Sequence, residues 1–352
     1  MSILVINSGS TSVKYKIFDE KEKQLKEGCF NNVENREKVI KEILREIPDI
    51  SQIAAIGHRV VHGGDKFKES VIVNDEVILE LEKYNKLAPL HNPYNISGLK
   101  ACQGFLPNLT QVAVFDTAFY HNLPEIARTY ALPKQITAKY NIKRFGFHGI
   151  SHQYVLEEAS KQLKIKQKGI NLITCHLGGG WSITAIKNGQ VVDTSMGWTP
   201  LEGLMMMSRA GDIDPGIILE LMRIQAEEEL TNEQFDLAKI LNYDSGIKAI
   251  SEGITDYQDL LREVSHGEKN AKLAFDLTIY KLVKYIGAYW AVLEGKVEAI
   301  VFTGAIGAGN PMTRNQVVSK IKFLGEVPVL AVKTNEELMI AREVKKLLDN
   351  RK

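Results

Sequence analysis

The 352-residue sequence predicts an α/β protein of two domains built on one plan. Three observations lead there. Short apolar strands alternate with helical segments along the chain. A hairpin with a tip of small hydroxyl residues and glycine recurs 170 residues later, Gly9 falling on Gly179, Ser12 on Ser182 and Val13 on Ile183. A second echo links the strand ending at Asp116-Thr117 with the one ending at Thr303-Gly304. Echoes this short also arise by chance, so the residues alone leave duplication and coincidence both open. The length exceeds what one ordinary core fills and suits two.

Residues 3–6 form a continuously apolar, β-branched run, which predicts a buried strand. The turn Asn7-Ser-Gly-Ser-Thr-Ser12 follows, and residues 13–18 alternate apolar and polar, predicting a half-buried return strand. The later copy runs from an apolar strand at 170–175 through the tip 176–182 to a return strand at 183–186. Asn188-Gly189 then signals another hairpin. Between these lie helices. Residues 37–47 carry Val39, Ile40, Ile43, Leu44 and Ile47 on one face, and Pro48 stops them. Asp214-Pro215 reads as an N-cap with proline at the first helical position. Thr231-x-x-Gln234 and Thr334-x-x-Glu337 read as capping boxes. Residues 273–293 place Leu273, Leu277, Tyr280, Val283, Ile286, Trp290 and Leu293 at helical spacing, predicting a core face that ends at Gly295.

Composition narrows the class. Apolar residues make up 44%, charged residues 25%, and the formal net charge is +1, so no bulk field recruits nucleic acid or an anionic membrane. The lysines between Lys161 and Lys168 read as a solvated helix end, and no basic-aromatic face accompanies them. Cys29, Cys102 and Cys175 are scattered and odd in number, which points to a reducing compartment, the cytoplasm. The N-terminus reads as a strand, not a signal peptide, and no apolar run approaches a membrane span.

The two Gly/Ser tips are the first functional clue. Glycine lets backbone N–H groups approach phosphate, hydroxyls add donors, and Lys14 lies just past the first tip. With Ala305-Ile-Gly-Ala-Gly309 at a third strand end, the pattern points to a nucleotide cleft. The second clue is polar residues set in apolar contexts: Arg59 and His62, Asp116 at a strand end, His148 and His152, and Arg209, Asp212 and Asp214. Singly these have plain readings, His62 and His152 as structural histidines and Asp214 as a helix cap. Zinc-ligand spacing is missing.

Several stretches then carry a resemblance: Asn7-Ser-Gly-Ser-Thr-Ser, Gly57-His-Arg-Val-Val-His-Gly-Gly, Ala88-Pro-Leu-His-Asn-Pro, Phe115-Asp-Thr-Ala-Phe, Gly146-Phe-His-Gly-Ile-Ser-His, Asp193-Thr-Ser-Met-Gly-Trp-Thr-Pro-Leu-Glu-Gly and Arg209-Ala-Gly-Asp-Ile-Asp-Pro. In that order, and on to Thr334-Asn-Glu-Glu-Leu, the chain resembles the acetate kinase family. The resemblance implies two ribonuclease-H-like domains around a cleft, as in sugar kinases, heat-shock chaperones and actin, in a homodimer. It implies domains at 1–118 plus 337–352 and at 119–336. It implies ATP and acetate or propionate as substrates, with Mg²⁺.

Roles follow position by position. Asn7 and Glu336 match the magnesium site. Lys14 and the tip His176, Leu177, Gly178, Gly179 and Gly180 match phosphate contacts, and Asp256, Tyr257 and Gln258 the nucleoside site. Ala305, Ile306, Gly307, Ala308 and Gly309 match the third nucleotide segment. Arg59 matches the substrate-carboxylate contact, and Val61, Leu90, Phe147 and Pro200 the acyl pocket. Asp116, His148 and Arg209 match the catalytic residues, Asp116 as an acid/base and the other two as transition-state stabilisers. An acceptor carboxylate is already ionised at neutral pH, so Asp116 is expected to orient groups or a metal-bound water instead of removing a proton.

The sequence departs from the family on the nucleotide side. Gly179 replaces asparagine, Gln258 replaces arginine, Gly307-Ala308-Gly309 stands where the family has a Gly-x-Gly-Glu-Asn tip, and Ala305 stands where the family has a hinge glycine. Segments before Arg59 and between Gly309 and Thr334 are short. These changes predict altered nucleotide discrimination with phosphoryl transfer retained. Propionate kinase, an acyl kinase with another donor such as pyrophosphate, and a non-catalytic nucleotide switch are the alternatives. Arg59 and Arg209 together speak against the last.

Overall fold

A computed structural model describes residues 2–231 and 234–350. The chain divides into two compact units. One holds residues 1–122, 145–154 and 334–352, the other 123–144 and 155–333. The expected division at 118/119 therefore shifts by a few residues, and 145–154, expected in the second domain, pack with the first. The reason is burial: Phe145, Phe147 and Ile150 are apolar and lie almost wholly out of solvent.

In the first unit, β1 (Ser2–Ser8), β2 (Ser12–Phe18), β3 (Gln24–Asn31), β4 (Ile53–Val60), β5 (Val71–Ile72) and β6 (Thr110–Phe115) form one sheet in the order β3-β2-β1-β4-β6-β5. β1, β2 and β3 make an antiparallel meander, while β4 lies parallel to both β1 and β6. In the second unit, β7 (Leu172–Leu177), β8 (Trp181–Lys187), β9 (Gln190–Thr194), β10 (Ala299–Thr303) and β11 (Val329–Ala331) run β11-β10-β7-β8-β9. Here too the first three strands are an antiparallel meander, and β10 lies parallel to β7 and β11. The plan is the same in both units, which makes them two ribonuclease-H-like domains. The second sequence echo was mismatched, however: β10 takes the place of β4 beside the first strand, not of β6.

Alternation along each strand sends Leu4, Ile6 and Ile56 to one face, packed on the helix Arg36–Glu46, and Val5, Val112 and Val114 to the other. The second face is covered by the C-terminal helix Glu336–Asp349 through Ile340 and Val344. That helix approaches so closely that a Cβ at Gly57 would strike both side chains.

Three local expectations need correction. The C-terminal helix is capped by Asn335, whose side chain accepts from Leu338 N–H at 3.2 Å, because the Thr334 hydroxyl takes a hydrogen bond from Ser151 Oγ at 2.9 Å instead. Thr231 N–H does reach Gln234 Oε1 at 2.9 Å, with the two residues between them outside those described, but the next helix, Leu237–Tyr243, is capped by Asp236. The helix Lys269–Val292 exists, yet its buried face runs through Ala271, Ala274, Phe275, Thr278, Ile279, Leu282, Ile286 and Tyr289, leaving Leu273 and Tyr280 exposed. The expected face was rotated: of its residues only Ile286 and Leu293 are fully buried.

Candidate active site

The same alternation builds the first unit's polar constellation. Asn7 follows Ile3 and Val5 on the face covered by the C-terminal helix, and Lys14 stands directly opposite it across the hairpin. Arg59 lies two residues beyond Gly57 on that face of β4, beside Val114 of β6, and Asp116 lies two beyond Val114. The helix begins at this edge with Glu336. Polar residues thus gather where parallel strands end, the usual place for ligands in open α/β sheets.

Arg59 is the hub. Its Nε and Nη2 donate to Asp116 Oδ2 at 3.1 and 2.8 Å, and its Nη1 donates to Glu336 Oε2 at 3.1 Å. Asp116 is 1% exposed. Burial pushes its carboxyl up to about 6, Glu336 adds to the rise, and Arg59 and the nearby Ile150 amide oppose it without cancelling it. Asp116 Oδ1 is buried and closes no full hydrogen bond. For Arg59, burial works against the charge but the two carboxylates outweigh it, so its pKa lies above the ordinary arginine value.

Around this hub the backbone is held by side chains that the sequence did not single out. Asn92 accepts from His62 N–H at 3.0 Å and donates to His62 O at 2.9 Å. Asn95 accepts from Val61 N–H at 3.1 Å and donates to Ser8 O at 2.7 Å, tying the end of β4 to the end of β1. Arg36 holds the tip from beneath, donating to the carbonyls of Gly9 and Ser10 at 2.9 and 2.6 Å with its guanidinium over Tyr94. The one signal in the sequence was the His-Asn-Pro run itself.

Of the expected acyl-pocket residues, Val61 and Phe147 are buried and Leu90 is half-buried. The Phe147 carbonyl accepts from Tyr120 Oη at 2.7 Å. His62 packs edge-on to Phe145 and Phe147. Its Nδ1 accepts from Gly64 N–H at 2.9 Å, and burial lowers its pKa to about 3, so it is a neutral structural residue. His148 is half-buried in the left-handed region at φ 58°. Gly149 after it has no room for a Cβ against the Asp116 carbonyl.

The second unit holds the remaining expected residues. His176 and Leu177 end β7 and are buried, while Gly178, Gly179 and Gly180 form the tip. Gly178 N–H bonds to Gly180 O at 3.2 Å, and its carbonyl accepts from Trp181 Nε1 at 2.8 Å, so the tip is fixed by its own chain. The third segment is not an open tip: Ala305, Ile306, Gly307, Ala308 and Gly309 lie in a short helix, Gly304–Gly309. Arg314 donates to the carbonyls of Gly307 and Ala308 at 2.8 and 2.7 Å. Asp256 caps the helix Tyr257–Ser265 through the Gln258 and Asp259 amides. Tyr257 is buried, bonded to Thr313 and packed on Trp181, and Gln258 is exposed. Of that trio, only Gln258 offers an unconstrained side chain.

Arg209 lies in the loop after β9. Its Nη1 donates to Pro200 O at 3.3 Å, and it has no carboxylate partner among the described residues. Burial lowers its pKa, with Tyr243 opposing. An arginine left without a counter-ion is available to an anion. Among the described residues no three His, Cys, Asp or Glu side chains gather as a metal cluster. Mg²⁺ does not require one, because it keeps waters and binds one or two carboxylates together with phosphates. Glu336, the unsatisfied Asp116 Oδ1 and the Asn7 amide fit that donor set.

Two ribonuclease-H-like units, with a buried arginine-bound carboxylate at a strand end of the first, suit a phosphotransferase, and the similarity to known proteins shows that class. The chain belongs to the Acetokinase family, which it matches over residues 38–327. It is 42% identical to the acetate kinase of Dictyoglomus turgidum, over 97% of this chain and 96% of that one. Its match to the acetate kinase of Carboxydothermus hydrogenoformans, 41% identical over all of both chains, spans 405 aligned positions against 352 residues here, as expected if segments are missing. Among solved structures it superposes on Porphyromonas gingivalis acetate kinase with a TM-score of 0.90 at 35% identity, each chain covered to 99%. It superposes on a propionate kinase from Francisella tularensis with a TM-score of 0.89, also at 35% identity, over 97% of this chain and 98% of that one. A putative N-acetylmannosamine kinase from Listeria monocytogenes, 12% identical with a TM-score of 0.54 and 99% and 100% of the chains covered, shares the fold alone.

Proposed function

We propose that this protein catalyses the reversible transfer of the γ-phosphoryl group of ATP to acetate, giving acetyl phosphate and ADP. A carboxylate oxygen of acetate forms the new bond to Pγ, and the bridging oxygen of ADP leaves in line with the electron pair of the broken bond. No proton moves, since the acceptor is already ionised. The observation that carries this reading is the Arg59 hub, a guanidinium whose Nη1 can exchange Glu336 for the carboxylate of the substrate while Asp116 keeps the other two donors.

Arg59 binds the acceptor carboxylate, and Asp116 keeps the fork oriented. His148 and Arg209 donate to the equatorial oxygens of the transferring group, where charge concentrates. Val61, Leu90 and Phe147 of the first unit and Pro200 of the second are the residues assigned to the methyl group. Lys14 and the tip His176 to Gly180 contact phosphates. Asn7 and Glu336 would hold Mg²⁺, which neutralises phosphate charge when bound. Asp256 to Gln258 and Ala305 to Gly309 border the nucleoside.

Propionate is the second reading, favoured by the equal identity to a propionate kinase. One methylene in such a pocket is worth only about 1–3 kcal/mol. A coupled assay of acetate, propionate and butyrate, each against ATP, GTP and pyrophosphate with Mg²⁺, tests the reading. Turnover of acetate or propionate with a nucleotide supports it and ranks the pocket. Turnover with pyrophosphate alone replaces the donor, and none with any pair rejects an acyl kinase.

A homodimer is part of the proposal. The helix Pro215–Glu227 buries none of its residues, and Ile217, Leu219 and Met222 stand exposed on it. A second copy would cover them. The cytoplasm is the proposed compartment, consistent with three free cysteines. Among the described residues, no helix is long and apolar enough to cross a membrane.

A further inference from the structure

Within the second unit, Arg144 is bound more extensively than any role assigned so far requires. Its Nη1 donates to three successive carbonyls, Thr194, Ser195 and Met196, at 3.1, 3.2 and 3.1 Å. Its Nη2 pairs with Glu202 Oε1 at 2.5 Å. The other Glu202 oxygen takes the Tyr130 hydroxyl, and that hydroxyl accepts from Trp198 N–H at 2.9 Å. A Cβ at Gly197 would overlap both Glu202 and Tyr130, so the loop fits the network only with glycine there. One guanidinium therefore fixes residues 194–196 and residue 202, the two ends of the segment that carries Pro200. The carbonyl of Pro200 is where Arg209 rests. The far side of the loop is closed by Asp212, which pairs with Gly203 in both directions at 2.8 Å and takes the Tyr285 hydroxyl at 2.6 Å.

We propose that Arg144, through Glu202 and Tyr130, is a positioning residue for Arg209: it sets the height of the Pro200 carbonyl and so the place where the Arg209 guanidinium meets the transferring phosphoryl group. This rests on the role given to Arg209 above. Arginine is suited to it because its planar fork reaches three carbonyls and a carboxylate at once, which a lysine ammonium cannot. Misplacing a transition-state donor by about an ångström costs on the order of 100-fold in rate.

The test is a double-mutant cycle in the full-length protein, with Arg144→Met and Arg209→Ala singly and together, reading kcat, KM for acetate and Tm. Tyr130→Phe is the milder probe should Arg144→Met fail to fold. The expected result is a fall in kcat of about 10- to 100-fold for Arg144→Met, partial recovery in Arg144→Lys, and a further fall of under about twofold when Arg209 is already absent, because coupled residues are not additive. Equal losses in both backgrounds overturn the proposal, as does a lowered Tm with kcat unchanged. Full activity in Arg209→Ala alone instead overturns the role given to Arg209.

Discussion

Arg59 places two of its N–H groups on one oxygen of Asp116, at 3.1 and 2.8 Å, and leaves the other oxygen without a full hydrogen bond. A buried carboxylate held by one edge keeps an unsatisfied acceptor in reserve. If that oxygen serves a metal or a bound water, Asp116→Asn lowers kcat by on the order of 100-fold with a smaller change in KM. Steady-state kinetics on acetate decide this, and near-normal turnover removes Asp116 from the mechanism.

The same carboxyl gives a pH prediction. Its folded pKa, about 6, lies above its ordinary 3.8. The fold therefore holds the proton more tightly than the unfolded chain does. The stabilising contribution is fully present below about 4 and is lost as pH rises through about 6. Activity runs the opposite way, since only the ionised form can serve a cation. The acidic limb of kcat/KM should fall near 6 when Mg²⁺ is scarce and move to lower pH as Mg²⁺ rises, because metal and proton compete. A limb independent of Mg²⁺ contradicts the assignment.

Asn92 is wholly buried, and both ends of its amide are used by the His62 backbone. Asn92→Ala leaves a buried N–H and a buried C=O without partners, which costs about 1–3 kcal/mol for each such group. We expect a lower Tm together with a raised KM for acetate, since Val61 adjoins the freed backbone of His62 and Arg59 lies three residues before it. Thermal melts and kinetics on one preparation check both.

On the nucleotide side, an added Cβ at Gly179 meets nothing within 4 Å, and Gln258 is exposed. Gly179→Asn with Gln258→Arg should fold normally and sharpen the preference for ATP over GTP. Competition binding reads this directly. A native protein that already discriminates strongly contradicts the expected weakening.

Leu219 is 69% and Met222 55% exposed on a helix with no buried residue. Leu219→Glu with Met222→Glu should convert the proposed dimer to monomer in light scattering. A dimer unaffected by the pair places the interface elsewhere.

Much of this molecule was written in its sequence. A continuously apolar run marked β1 and its later copy, period-2 alternation marked β2, glycine and hydroxyl residues marked the tips, and an apolar strand ending in aspartate marked Asp116. These are local signals, set by what one strand or turn requires of its own residues. Tertiary packing decided the rest. Which face of the helix Lys269–Val292 is buried depended on the elements packed against it, since apolar residues stand on more than one of its sides. Thr334 lost its cap to Asn335 because Ser151, far away in sequence, claimed its hydroxyl. The equivalence of β10 with β4 is a matter of which strand each pairs with, and no single strand carries that. Arg36, Asn92 and Arg144 went unnoticed for the same reason. Each bonds backbone carbonyls or amides distant along the chain, and such partners leave no trace in residue type. The sequence by itself determined the strands that flank the two tips, the tips themselves and the chemistry of the polar groups near them. Only the fold decided what holds them in place, because positioning is done by long-range contacts to a backbone that is chemically the same at nearly every residue.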